Sequence, residues 1–404
     1  MMFKNNKQLN SSSINQINFD YMDNDIYYFD SACQTLRPQQ VIDAQDEYYH
    51  EYNACGHRVK YKWGQIVDEK VEETRALLLE ASGKNSKNYT VAFTLNTTIG
   101  INFVLQQLNP SKFDKTVTSE IEHNSVFLTT MTWAQRHNKK RIVLPRLVDG
   151  ELDYKKDDLK NAVVVVNTTS NIDGRNLLNA KQLADDVHEM GGILLLDACQ
   201  SYAHLPELLK NVDFDAAFGS GHKMYGPSVG FIVIKKDLLK NLDCYLIGGS
   251  TVQDVQLDSF ELIDNDEEIY SRIEPGLQNF AGIIALGESI KWFKQFKKNG
   301  LSAHEYEVTL QKKLNEGLKS VDNLVMLYDK PSSVVSIYSE KIDGHRLGTF
   351  LGEKKIMCRT GYHCCHYYLK NLKKYPPLFR ISLALHNDEK QIEFLIENLK
   401  LMLK

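Results

Sequence analysis

The chain has 404 residues, enough to bury a large core and to divide into more than one domain. Hydrophobic residues make up 43%, charged residues 25%, and the net charge is −4, a globular balance with no basic surface for nucleic acid or an acidic membrane. No apolar run reaches membrane-spanning length, and the seven cysteines, odd in number and without a CxxC pair, argue against a secreted disulfide framework.

The first segment, Met1 to Asn18, is rich in Asn, Ser and Gln and lacks the apolar stretch of a signal peptide. It is also nearly free of Arg, unlike a transit peptide, so a cytoplasmic location with reduced thiols is expected. Residues 1–24 read as a polar arm. Structure is expected to begin with a strand at Ile26–Asp30, then a helix opened by Pro38 and running to Tyr52.

Helix and strand then alternate. The pattern predicts an amphipathic helix over Val67–Ala81, a strand at Tyr89–Thr94 and a helix over Thr98–Leu108. Ala162–Asn167 (AVVVVN) is a continuous β-branched run, as in a strand covered on both faces. A helix at Ala180–Met190 follows, then buried strands at Gly192–Asp197 and Val229–Ile234. Helices between strands imply βαβ units and a mainly parallel sheet, an α/β fold. A helix over 282–296 closes this large domain, expected over residues 25–296, with packing of its N-terminal part on the small domain as the alternative. A smaller α+β domain, 297–404, is predicted from a helix near 301–319 and short strands near 323–328, 333–338, 355–359 and Phe379–Leu385. The last helix begins at Asn387 as N-cap and aligns Ile392, Leu395, Ile396 and Leu399 on one face.

Five short segments carry chemistry. Ser220-Gly221-His222-Lys223-Met224-Tyr225-Gly226-Pro227 puts a Lys in a Gly-rich loop before a buried strand. That suits a desolvated Schiff-base lysine, although Gly-rich loops also bind phosphate. Asp197 ends a buried strand, where ligand sites of open α/β sheets lie. A carboxylate there can pair with a protonated pyridine nitrogen, or merely cap a helix or form a salt bridge. Lys223 follows Asp197 by about 25 residues, after the next strand, an arrangement that pyridoxal 5′-phosphate (PLP) sites use. Asn96-Thr97-Thr98 between a strand and a helix offers N–H groups and hydroxyls to a phosphate, or an ordinary cap. In Arg359-Thr360-Gly361-Tyr362-His363-Cys364 a thiol beside His and near Arg could attack as thiolate. A metal cluster of His363, Cys364, Cys365 and His366 is disfavoured, because adjacent residues rarely ligate one ion together. Arg380, inside an apolar strand pattern, needs a partner: a substrate carboxylate or a buried ion pair.

Together these residues resemble the class V aminotransferase-fold family, and within it the SufS-like (group II) cysteine desulfurases. The similarity runs from about residue 27 to the C-terminus. Tyr28-Phe29-Asp30-Ser31-Ala32 looks like the family's "YLDNAA", and Ser119 to Asn124 like "EMEHHAN". Ser170 to Gly174 is similar to "SNVLG", and Asp197-Ala198-Cys199-Gln200 to "DGAQ". Ser220 to Pro227 matches "SGHKMYGP" throughout, and Arg359 to Cys364 matches "RTGHHC" with one change.

The resemblance implies a PLP-dependent transferase of fold type I, with a seven-stranded sheet. Lys223 would carry the cofactor and move the Cα proton, His123 stack on its ring, and Asp197 pair with the ring nitrogen. Asn171 and Gln200 would reach the ring hydroxyl, while Thr97, with Thr98 beside it, Ser220 and His222 would hold the phosphate. Arg380, with Asn171 and Arg359 as further candidates, would take the substrate carboxylate, and Cys364 would accept sulfur as a persulfide. The implied reaction converts L-cysteine to L-alanine, with a sulfur-acceptor protein downstream and a homodimer as the assembly. L-selenocysteine lyase, other class V lyase or aminotransferase chemistry, and a non-catalytic accessory subunit are the alternatives.

Some positions depart from the pattern. The family's "GTPN" reads Gly276-Leu277-Gln278-Asn279, and Leu277 has no hydroxyl to reach a neighbouring subunit's phosphate. Tyr362 replaces a His, and Cys365 replaces a small residue, as a sulfur relay or a tolerated change. Cys33 and Cys199 also stand for small residues near the expected cofactor and read as packing.

Overall fold

The computed structural model describes residues 19, 21–23, 25–56 and 59–404. Of the arm expected over 1–24, only residues 19 and 21–23 are therefore described.

The larger sheet has seven strands. Their order across the sheet is Tyr89–Thr94, Gly230–Lys235, Ala216–Ser220, Ile193–Asp197, Ala162–Asn167, Lys115–Ser119, Lys140–Leu144. All neighbours are parallel except Gly230–Lys235, which runs antiparallel to both of its partners. The run at Ala162–Asn167 explains itself here. Val164 and Val166 join the core on one face, while Val163 and Val165 join the core on the other. Leu194 and Leu196 alternate with Leu195 in the same way. A period of two with both faces covered demands apolar residues at every position.

Three strands escape a reading by hydrophobic pattern: Lys115–Ser119, Lys140–Leu144 and Ala216–Ser220. The last is built of small residues for a steric reason. A Cβ on Gly219 would lie 2.1 Å from the Phe231 ring of the neighbouring strand. The ring fills the space that a larger side chain would occupy, so the strand carries little apolar signature of its own.

A second core belongs to a four-stranded antiparallel sheet, ordered Val325–Met326, Val334–Tyr338, Leu378–Ser382, Arg359–Gly361. Helices Ala303–Lys319 and Glu389–Leu403 cover it with Leu310, Leu314, Ile392, Leu395 and Leu399. The first described residues join this core and not that of the larger sheet. Tyr27–Tyr28 pairs in parallel with Ile356–Met357, and Phe19 and Phe29 pack among the later helices and strands.

Element ends differ from the sequence expectation in detail. The last helix is capped by Asp388, whose Oδ1 accepts from Gln391 N at 2.9 Å, and not by Asn387. Asn387 instead closes the preceding turn, its Oδ1 accepting from Ala384 N at 2.9 Å. The earlier helix begins at Ala303, with Ser302 and Glu305 forming a reciprocal capping box. The first strand shrinks to Tyr27–Tyr28, with Asp30 bridging to Ser382.

Candidate active site

The carboxyl ends of the central strands open into one cavity of about 270 Å³. Chain reversal at each strand end delivers a different polar side chain to it, as expected where open α/β sheets bind ligands. Asp197 ends one strand and Asn167 its neighbour. Lys223 closes a short helical turn, Gly221–Lys223, directly after the strand that ends at Ser220. Thr97 and Thr98 open the helix Thr97–Gln106, which is capped by Asn96 through Oδ1 to Ile99 N at 3.0 Å. The N–H groups of that first turn have no carbonyl within the helix and face outward as donors. Close approach fixes this turn, since a Cβ on Gly230 would lie 2.5 Å from the Asn96 backbone.

Lys223, His123, Asp197, Asn171, Gln200, Thr97, Thr98, His222, Arg359 and Arg380 all line the cavity. Two candidates do not. Ser220 lies fully buried behind it, with Oγ 2.7 Å from His222 Nδ1. Cys364, half-buried, follows His363, which does line the wall.

The histidines are held neutral. His123 Nδ1 accepts from Ser125 N at 3.1 Å, and burial, then the Lys223 ammonium, pushes its pKa down to about 4. His222 is likewise pushed down to about 4 by burial and Lys223. His363 falls to about 2 through burial and the guanidinium groups of Arg380 and Arg359. A neutral His363 cannot supply the positive charge that the sequence pattern suggested beside Cys364. His363 and Cys364 have positive φ, 45° and 57°, two consecutive non-glycine residues in a strained conformation. Two backbone bonds hold them: Asn171 Nδ2 donates to the His363 carbonyl at 2.8 Å, and Asn124 N to the Cys364 carbonyl at 2.7 Å.

Arg380 is 2% exposed and forms the buried ion pair of its sequence reading. Nη2 donates to Asp30 Oδ1 at 3.0 Å and Nη1 to the Asn171 carbonyl at 3.1 Å, while Nε has no partner. Arg359 is its register partner on the neighbouring strand, so two guanidinium groups stand together at one end of the cavity. Further buried atoms around the cavity lack partners: Gln200 Oε1, Asn167 Oδ1 and both ring nitrogens of His363. An unpartnered buried polar group costs about 1–3 kcal/mol, so this set calls for a polar occupant. The residues fit PLP. They offer a lysine, a carboxylate, free helix N–H groups beside hydroxyls, a neutral imidazole and an acceptor in Gln200 Oε1.

Several lining residues carried no recognisable role in the sequence: Asn167, Thr169, Ser125 and Cys33. Glu122, next to His123, is also buried, and accepts from Asn167 N and Nδ2, each at 2.9 Å. Burial pushes its carboxyl up to about 7. Cys199 lines the cavity with Sγ 2.9 Å from Thr97 Oγ1, and burial pushes its thiol up to about 12. Cys33 is more than packing: Arg359 Nη1 donates to its Sγ at 3.0 Å. Cys365 packs with Ile121, Ile172 and Leu369, its thiol pushed well above the usual range by burial, which favours the tolerated-change reading over a relay. Leu277 is 75% exposed. Among the described residues, no three His, Cys, Asp or Glu side chains are grouped to hold a metal ion, and no helix is long and apolar enough to cross a membrane.

Known proteins resemble this chain along most of its length. A probable cysteine desulfurase of Pyrococcus abyssi is 32% identical over 394 residues, spanning 94% of this chain and 95% of that protein. A cysteine desulfurase of Shigella flexneri is 29% identical over 386 residues, 92% of each. The apo structure of cysteine desulfurase from Thermococcus onnurineus superposes with a TM-score of 0.84 at 28% identity, covering 94% of this chain and 95% of that one. The pattern of the class-V aminotransferases matches residues 27–395, and the chain belongs to that family.

Proposed function

We propose that the chain is a PLP-dependent cysteine desulfurase, converting L-cysteine to L-alanine and retaining the sulfur on Cys364. The family works with PLP, and the relatives in three organisms bear that activity in their names. The observation that carries the reading is convergence. Lys223, Asp197, His123 and Arg380 line one cavity together with His363, the chain neighbour of Cys364.

In this reading Lys223 Nζ, Asp197, His123 and Gln200 hold the cofactor ring, and Thr97, Thr98, Ser220 and His222 its phosphate. When bound, PLP supplies an electron sink for the bonds at the substrate Cα. Arg380 Nε and Arg359 take the substrate carboxylate and fix Cα over that ring. Lys223 Nζ removes the Cα proton and later returns it. A neutral His123 would face the cofactor ring without adding charge to it. Cys364 Sγ attacks the substrate sulfur, the carbon–sulfur bond breaks, and alanine leaves once a proton has been restored. The persulfide then passes to an acceptor thiol by exchange, in keeping with a sulfur-acceptor protein. The positive φ at His363 and Cys364, with two backbone anchors, supports a thiol held on a defined turn.

The separate cores support a division into a large unit over 25–296 and a small one over 297–404, with Phe19, Tyr27 and Phe29 packed on the latter. A homodimer is the assembly that membership of the family implies. A location in the cytoplasm accords with seven free cysteines.

Product analysis tests the reading. Holoenzyme given L-cysteine, L-selenocysteine and L-kynurenine in parallel is expected to release alanine from the first. Cleavage of kynurenine alone, or of none of the three, would overturn it.

A further inference from the structure

Two thiols line the cavity, and they differ. Cys199 is buried, bonded to Thr97 Oγ1 and held protonated by its surroundings. Cys33 is only partly buried. It lies at the end where Arg359 and Arg380 stand as register partners, with Arg359 Nη1 donating to its sulfur at 3.0 Å. One N–H donor of Arg359 orients that sulfur, and a guanidinium has others to spare. Arg380 Nε, buried at 2% exposure and unpartnered, lines the same cavity, as does His363 with neither ring nitrogen bonded. These are donors waiting for an anion beside a free thiol.

An α-amino acid docked by its carboxylate on these arginines has only Cα and Cβ between that carboxylate and a sulfur at its γ position. If that sulfur belongs to a disulfide, the nearby thiol can exchange with it. We infer that Cys33 is a modification site for amino-acid disulfides, of which L-cystine has the matching chemistry. The thiolate of Cys33 attacks one cystine sulfur. The cystine S–S bond breaks, a mixed disulfide forms on Cys33, and one cysteine leaves as thiolate and takes up a proton. Cys33 is oxidised and the departing half is reduced, so no further oxidant is needed. The half-cystine left behind fills the carboxylate end of the cavity and excludes substrate until a thiol reductant removes it. The oxidised dimer of an amino thiol would thus shut a site that the reduced monomer enters.

The exclusion of substrate rests on the desulfuration reading, whereas adduct formation is read separately, as the mass of the Cys33 peptide. Holoenzyme would be treated with L-cystine or cystamine without reductant, its remaining thiols alkylated, and its peptides mapped by mass spectrometry. The expected result is a reductant-reversible cysteinyl adduct on Cys33, forming about tenfold faster from cystine than cystamine adds to the same residue, because only cystine carries the carboxylates. Exposed Cys55 provides the internal standard, with no such preference. Arg359→Gln should narrow the difference, and Cys33→Ala should remove that adduct while leaving the one on Cys55. Equal rates from both disulfides, or an adduct on Cys364 or Cys55 with none on Cys33, would overturn the proposal.

Discussion

Each candidate side chain is defined by what it lacks as much as by what it touches. Arg380 keeps one donor free while two others hold Asp30 and the Asn171 carbonyl. Arg380→Ala should therefore raise KM for cysteine by about tenfold or more, with loss of stability from the orphaned Asp30. Steady-state kinetics alongside thermal melts would check both. Lys223→Ala should yield protein without the visible absorbance of bound cofactor, whereas Cys364→Ser should keep the absorbance and lose alanine production. A Cys364→Ser variant with full activity would remove that residue from the account. At this scale the sequence was unusually legible. The Lys223, Asp197 and His123 segments were recognisable as ordered motifs. Cys33 was not, because a Cys in place of a small residue looks like packing until Arg359, more than three hundred positions along the chain, is seen to donate to it.

Secondary structure elements set where those side chains arrive. The turn at Asn96–Thr98 is pressed onto the sheet at Gly230, where a methyl group would overlap the Asn96 backbone as well as Thr94 Oγ1. Gly230→Ala should lower both stability and cofactor affinity, read as a lower melting temperature and a higher PLP requirement in a titration. The capping box at Ser302 gives a cleaner case, remote from the cavity. Ser302→Ala should cost about 1 kcal/mol in denaturant unfolding with no change in KM. Strands with an apolar signature, such as AVVVVN, were readable because both faces are covered. Lys115–Ser119 and Ala216–Ser220 were not, since one carries threonines and the other is hollowed out for Phe231. The boundary at Asn387 misled for a related reason: two adjacent capping residues compete, and tertiary packing decided for Asp388.

Across the whole molecule, burial of neutral histidines shapes the response to acid. His123, His222 and His386 each have a pKa lowered from 6.5 to about 4, His386 by burial first of all. Between those values the unfolded chain binds more protons than the folded one, so stability falls as pH drops from about 6.5 toward 4. Glu122 acts in the opposite sense, its pKa raised to about 7, so that it weakens the fold as pH rises from its ordinary range through 7. These three histidines, with His363 lowered to about 2, outweigh one carboxyl, and melting temperatures should decline from pH 6.5 to 4. A flat profile over that range would show that these rings are not buried neutral. The fold class could be anticipated from alternating helix and strand signals. Packing of the N-terminal part with the small domain stood as an open alternative in the sequence, and its register could not be read there, because Tyr27–Tyr28 finds its partner only through a long-range parallel pairing with Ile356–Met357.

The central claim is that sulfur leaves the carbon of cysteine and arrives on one particular thiol. Holoenzyme should be mixed with L-cysteine in the absence of reductant, its alanine counted and its peptides mapped for sulfane sulfur. The account predicts alanine in step with a persulfide on the Cys364 peptide. Alanine formed with no sulfur on that peptide, or sulfur there without alanine, would contradict it.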